Sequence, residues 1–137
     1  MSSSRENVEI VRDGWEAWRR GDLPGLFRHF DPDVVWDTSN FHDWPESTYH
    51  GIEGVERFLG EWRDVWDGLE VDVDEIRAAP GGRVVSLIRQ RGKGRGSGLS
   101  MEMESAQVAT LRNGKVTRID NYEDRAEALA AAGLRAS

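Results

Sequence analysis

Apolar positions in the first third of the chain recur at three- and four-residue steps. Val8, Val11, Trp15 and Trp18, with Ile10 beside them, predict one face of a helix from about Arg5 to Arg20. Ser3 and Glu6 stand at capping-box spacing ahead of it, and Gly21 ends it. Asp22 caps a second, short helix with Pro24 in its first turn, where the missing N–H is tolerated; Leu26, Phe27 and Phe30 are its apolar face. Asp31-Pro32-Asp33 breaks that helix, and Val34 to Trp36 is a short β-prone run ending at Asp37. Thr38 to His50 has no periodicity and reads as a long loop, of the kind often tied to function. A third helix opens near Ile52, with Val55, Phe58, Leu59, Trp62, Val65 and Trp66 at helical steps, and Gly68 closes it.

Then the period falls to two. Val71, Val73 and Ile76 predict a strand, Pro80-Gly81-Gly82 a turn, and Arg83 to Arg91 a second strand. Gly92, Gly94, Gly96 and Gly98 mark a flexible reversal. Leu99 to Arg112 is a long strand, Asn113-Gly114 a tight hairpin turn, and Val116 to Tyr122 the returning strand. Asp124 caps a last helix, Arg125 to Ala132, stopped by Gly133 with Leu134 folding back. Helices followed by an antiparallel meander make the class α+β, with the amphipathic helices covering the apolar face of the sheet. No repeat or linker divides the chain, so 1–137 reads as one domain, long enough to bury a core without staples.

Composition removes several classes. There is no cysteine, which excludes disulfides, thiolate metal sites and cysteine nucleophiles. The net charge of −7 argues against a broad nucleic-acid or anionic-membrane surface. Arg89, Arg91, Lys93 and Arg95, interleaved with glycines, read as a charged hairpin tip, because phosphate binding needs several converging cations. The amino terminus has no apolar signal region, and no apolar run approaches the ~20 residues of a membrane helix, so the expected location is cytoplasmic. The unusual number is six tryptophans in 137 residues. Each is large and carries an N–H that wants a partner when buried, so they imply an aromatic core or a lined cavity.

The order and wording of several segments resemble the nuclear-transport-factor-2-like superfamily, in its SnoaL-like, polyketide-cyclase-like branch. The resemblance rests on Trp18-Arg19-Arg20-Gly21-Asp22-Leu23, on Phe30 to Trp36, and on Tyr49-His50-Gly51-Ile52-Glu53-Gly54-Val55. Asn113-Gly114-Lys115-Val116 and Tyr122 to Leu129 complete it. It spans nearly the whole chain. It implies a cone-shaped, curved antiparallel sheet wrapped around the N-terminal helices, an α+β barrel with a pocket at its open end, and a homodimer. The superfamily holds isomerases, cyclases, hydrolases and non-catalytic binding proteins, so function must be argued from the site.

What the resemblance implies for chemistry is a small-molecule pocket. Its walls would be Trp15, Trp36, Trp62, Met101, Met103, Ser105, Ile119, Asn121 and Tyr122, with His42 at the mouth. Asp37 is the candidate base, Gln107 the group that polarises a carbonyl, and His50 a further acid/base group. The substrate expected is bulky and apolar, as for an isomerase, cyclase or hydrolase. The isomerase pattern is incomplete: Gly14 stands where those enzymes carry a tyrosine, and Gln107 where they carry a protonated aspartate. The other reading is therefore a non-catalytic ligand-binding or dimerisation module. Alternation puts Met101, Met103, Ser105, Gln107, Ala109 and Leu111 on one strand face, unless a bulge near Ser105 reverses it. On the next strand Ile119 and Asn121 share one face, Asp120 and Tyr122 the other. The three histidines lack a ligand spacing, so neither a metal nor another cofactor is expected. Trp15, Trp18 and Trp66 are assigned mainly to the core, Trp36 and Trp62 to the pocket, and Trp44 to a lid.

Overall fold

The computed structural model describes residues 3–41 and 44–135. Helix α1 (Ser4–Arg20) starts where the Ser3 hydroxyl accepts the Glu6 amide at 3.1 Å, and Gly21 ends it with a φ of 72°. Helix α2 (Leu23–Phe27) is capped by Asp22, whose carboxylate accepts the Gly25 amide at 3.0 Å. Strands β1 (Phe30–Asn40) and β2 (Thr48–His50) lead into α3 (Gly51–Val65). The meander β3 (Trp66–Ala79), β4 (Arg83–Gly94), β5 (Ser100–Arg112) and β6 (Lys115–Tyr122) follows, and α4 (Arg125–Ala131) closes the order. The β5–β6 turn sets both Asn113 and Gly114 at positive φ, 51° and 76°, as a two-residue hairpin requires.

The six strands form one sheet in the order β2-β1-β6-β5-β4-β3. It is curved and not closed. Its pairings are antiparallel except one: β1 runs parallel to β6. The expected α+β fold, a curved sheet wrapped around the N-terminal helices, is what the structure has; in detail the sheet is open and mixed, because the chain travels through α3 and the whole meander before it returns beside β1.

Three boundaries also differ from expectation, each for a local reason. β1 is 11 residues long, not three. Asp31-Pro32-Asp33, expected to break the second helix, lies inside this strand: α2 already ends at Phe27, Phe30 begins β1, and the pairing with β6 is interrupted between Phe30 and Val35, where a proline without an N–H costs no ladder bond. β2 occupies the end of the stretch that reads as loop; three residues are too few to show a period. Trp66 begins β3 and does not belong to α3.

The sheet is buried on both faces. On the inner side α1 and α3 cover Trp36, Val84, Ala109, Leu111 and Ile119. On the outer side α4 covers Val85, Leu87, Ala106 and Val108. Consecutive core residues such as Val84-Val85 therefore point opposite ways, and both are fully buried.

Candidate functional site

Between α1, α3 and the inner sheet face lies a cavity of about 100 Å³. Helix α1 contributes Val11, Trp15 and Trp18 to its wall, and α3 contributes Phe58, Leu59 and Trp62. The sheet contributes Trp36, Ile88 and Ile119 as apolar wall and Ser86, Gln90, Gln107 and Asn121 as polar wall. The polar positions follow from register. Ser86 pairs with Gln107 and Gln107 with Asn121, so three strands set one polar row across the curved face. No bulge interrupts β4 against β5, so Gln107 keeps the inward phase that strict alternation gives it.

The row is held by hydrogen bonds to neutral partners. Gln107 Nε2 donates to Asn121 Oδ1 at 3.0 Å, and Asn121 Nδ2 donates to the Asp37 carbonyl at 3.0 Å. Trp15 Nε1 reaches down from α1 to Ser86 Oγ at 2.9 Å. A second chain runs from Trp62 Nε1 to Gln90 Oε1 at 2.8 Å, and from Gln90 Nε2 to Ser105 Oγ at 3.2 Å. Among the described residues one buried wall donor is left over: the Nε1 of Trp36 has no partner. A buried N–H in that state costs about 1–3 kcal/mol.

Aromatic packing holds the α3 side. Phe58 meets Trp36, Trp44, Tyr49 and Trp62 at centroid separations of 5.2, 5.5, 5.3 and 6.1 Å. Trp44 closes over this cluster, and its Nε1 donates to the Tyr49 hydroxyl at 2.9 Å, which in turn donates to Glu61 at 2.7 Å. Arg57 grips Glu46 with two bonds, 2.6 and 3.0 Å. Burial first, and the Glu61 carboxylate second, push the Tyr49 phenol up to about 12, so it stays protonated and keeps donating.

The expected site residues separate into two groups. Trp15, Trp36, Trp62, Gln107, Ile119 and Asn121 meet in the cavity wall. Ser105 sits behind it, buried, as the acceptor for Gln90. Met101 and Met103 have the same strand phase but lie beyond the cavity, half-buried. Asp37 is on the outer face, because its register partner is Asp120 whereas Trp36 pairs with Ile119. There its Oδ2 binds Arg118 at 2.6 Å, and its Oδ1 accepts the Ser39 amide and hydroxyl at 2.8 and 2.6 Å. Tyr122 is also outward, packed against the α4 cluster. His50 is exposed at the start of α3, opposite Val35, and makes no side-chain cap. His42 lies outside the described residues. The convergence of Asp37, Gln107 and His50 on one point is thus corrected: strand parity and the β2 register place two of them on the far side of the sheet.

Two tryptophans also change place. Trp18 faces the cavity, and Trp66 lines a separate open groove with Arg63 and Arg95. Sequence reasoning missed Ser86, Gln90 and Phe41. For the first two a signal exists: they are polar residues in phase with Val84 and Ile88, at positions that should be apolar.

On the outer face, Arg118 also binds Asp120 at 3.0 Å. Burial raises the Asp120 carboxyl above its ordinary range, and the nearby Asp37 charge adds to this while Arg118 opposes it. Among the described residues of the cavity wall, by contrast, none is titratable. No three His, Asp or Glu side chains gather as a metal cage among the described residues.

A family model of the SnoaL-like domain matches residues 11–119. An uncharacterized protein of Mycobacterium tuberculosis is 26% identical over 117 residues, covering 85% of this chain and 87% of that protein. Among solved structures, an NTF2-like protein of Burkholderia xenovorans is 30% identical with a TM-score of 0.73, covering 95% of this chain and 97% of its own. A protein of Catenulispora acidiphila with a ketosteroid isomerase-like fold, solved in complex with trimethylamine, is 20% identical with a TM-score of 0.69, covering 92% and 93%.

Proposed function

The chain belongs to the SnoaL-like domain family, and on that premise we propose that its cavity binds a small, uncharged, mostly apolar molecule and does not itself supply an acid or base. The observation that carries this reading is the wall chemistry. Among the described residues its polar groups are one hydroxyl, three amides and indole N–H groups, all neutral across the working pH range. A charge brought into such a wall would lose its hydration without gaining a counter-ion, which is heavily unfavourable. An uncharged ring loses only water from apolar surface, and burial of that surface favours binding at about 25 cal/mol per Å².

Size narrows the occupant. An apolar cavity of about 150 Å³ takes benzene. At about 100 Å³ this cavity suits a single ring or a short branched chain better than the bulky, several-ring substrate expected from the family resemblance. The trimethylamine held by the Catenulispora protein is comparably small, but it is a cation near neutral pH, so it bears on the size of the occupant and not on its charge.

The test is a matched series on a six-membered ring: methylenecyclohexane, cyclohexanone, cyclohexanecarboxylate and cyclohexylammonium. Thermal unfolding and tryptophan fluorescence are followed together. The two neutral compounds should raise the melting temperature, since a ligand at 100 times its Kd adds about 2.7 kcal/mol. The two ions should leave it unchanged. Equal stabilisation by an ion and its neutral counterpart would defeat the reading.

A further inference from the structure

The wall contains an imbalance that the protein does not resolve within itself. Trp15 and Trp62 donate their indole N–H groups to Ser86 and Gln90. Trp36 is 5% exposed, lines the same cavity, and its buried Nε1 has no acceptor. Phenylalanine at this position would supply apolar area against Phe58 without an orphaned donor. No acceptor among the described residues, those of the polar row included, lies within hydrogen-bond distance of it. An indole N–H only donates, so what is missing is an acceptor.

We propose that Trp36 Nε1 is a ligand-binding donor, and that the occupant carries a hydrogen-bond-accepting oxygen, a ketone or ether, on its apolar body. This rests on the reading of the cavity as a binding site for uncharged molecules. Trp36 lies opposite Ile119 on the inner face, one step along the strand from the Asn121–Gln107 row. The oxygen therefore lies at the polar margin of the wall while the ring meets the hydrocarbon of Phe58, Ile88 and Ile119. Specificity would come from the unpaired donor: a ligand without the oxygen leaves it orphaned, and a ligand with it does not.

Cyclohexanone and methylenecyclohexane test this, because they share a ring and a shape and differ by O against CH₂. Their Kd values are measured in the wild-type protein and in Trp36→Phe. The ratio of the two removes both the difference in their hydration and any loss of packing common to both ligands. The variant should weaken cyclohexanone about five- to ten-fold, the span of one neutral hydrogen bond, and leave methylenecyclohexane within about two-fold. An independent reading comes from the indole N–H resonances of the wild-type protein. The signal absent from Trp36→Phe should move downfield with cyclohexanone and not with methylenecyclohexane. If both compounds bind, but the variant weakens them equally and the resonance does not distinguish them, the donor role is overturned while the cavity survives as a binding site. If neither compound binds the wild-type protein, the cavity reading fails and takes this proposal with it.

Discussion

Trp36 and Asp37 are neighbours in the chain and end on opposite sides of one strand, as do Ile119 and Asp120. On the inner side the two strands present an indole, an isoleucine and an amide to a cavity whose polar groups bind one another. On the outer side the same strands present Tyr122 and three charged groups, Asp37, Arg118 and Asp120, the last three linked by ion pairs at 2.6 and 3.0 Å. The contrast shows how a one-residue step decides chemistry in a sheet. The carboxylate beside the pocket in sequence is separated from it by the thickness of the sheet, and the group that does face the pocket is a neutral amide. Charge sits where Arg118 and water compensate it, and neutrality sits where a ligand is desolvated.

The contrast predicts unequal consequences for substitutions on the two faces. The largest effect belongs to Phe58, which joins four aromatic rings on the inner side; Phe58→Ala should cost about 3–5 kcal/mol in urea denaturation and abolish binding of neutral rings. Asn121→Leu comes next. It leaves the Gln107 amide without its acceptor and the Asp37 carbonyl without its side-chain donor, for a loss of about 2–3 kcal/mol. Asp37→Asn removes an outer-face pair in which Arg118 is 42% but Asp37 only 14% exposed, and it keeps an oxygen to accept from Ser39, so its cost should be about 1–2 kcal/mol. Cyclohexanone affinity should stay within about two-fold in that variant; a large loss would return Asp37 to the site.

The smallest effect is a pH dependence from Asp120. Its carboxyl is raised by burial, so the folded protein holds that proton more tightly than the unfolded chain. This contribution favours folding at low pH and is lost as pH rises above the ordinary aspartate value of 3.8 and through the raised folded value. Asp120→Asn does not titrate. Its stability relative to wild type should therefore improve across that window and level off above it. A gap between the two proteins that is constant, or that moves the other way, contradicts the assignment.

Much of the fold is legible in the residues. The Ser3 and Asp22 caps, the Asn113-Gly114 turn and the Gly133 stop with Leu134 folded back all act locally, and all are where the chain predicts them. β2 and the parallel β1–β6 pair were not legible, because both depend on partners distant in the chain. Gln107 and Asn121 could be phased from alternation alone. Asp37 could not, because the short run Val34-Val35-Trp36 is apolar on both sides of the strand and offers no contrast to phase it. Ser86 and Gln90 carried a signal that went unused, since polar residues in an apolar phase within a buried strand mark either a hydrogen-bond network or a ligand.

The central claim is that binding occurs against a wall without a titratable group among its described residues, and the pH dependence of affinity tests it most directly. Cyclohexanone titrated by tryptophan fluorescence from about pH 5 to pH 9 should give one Kd throughout, because no wall group changes charge in that range. A sigmoidal or bell-shaped profile centred near pH 6 to 7 would contradict it, since that range is where a histidine in the site would titrate.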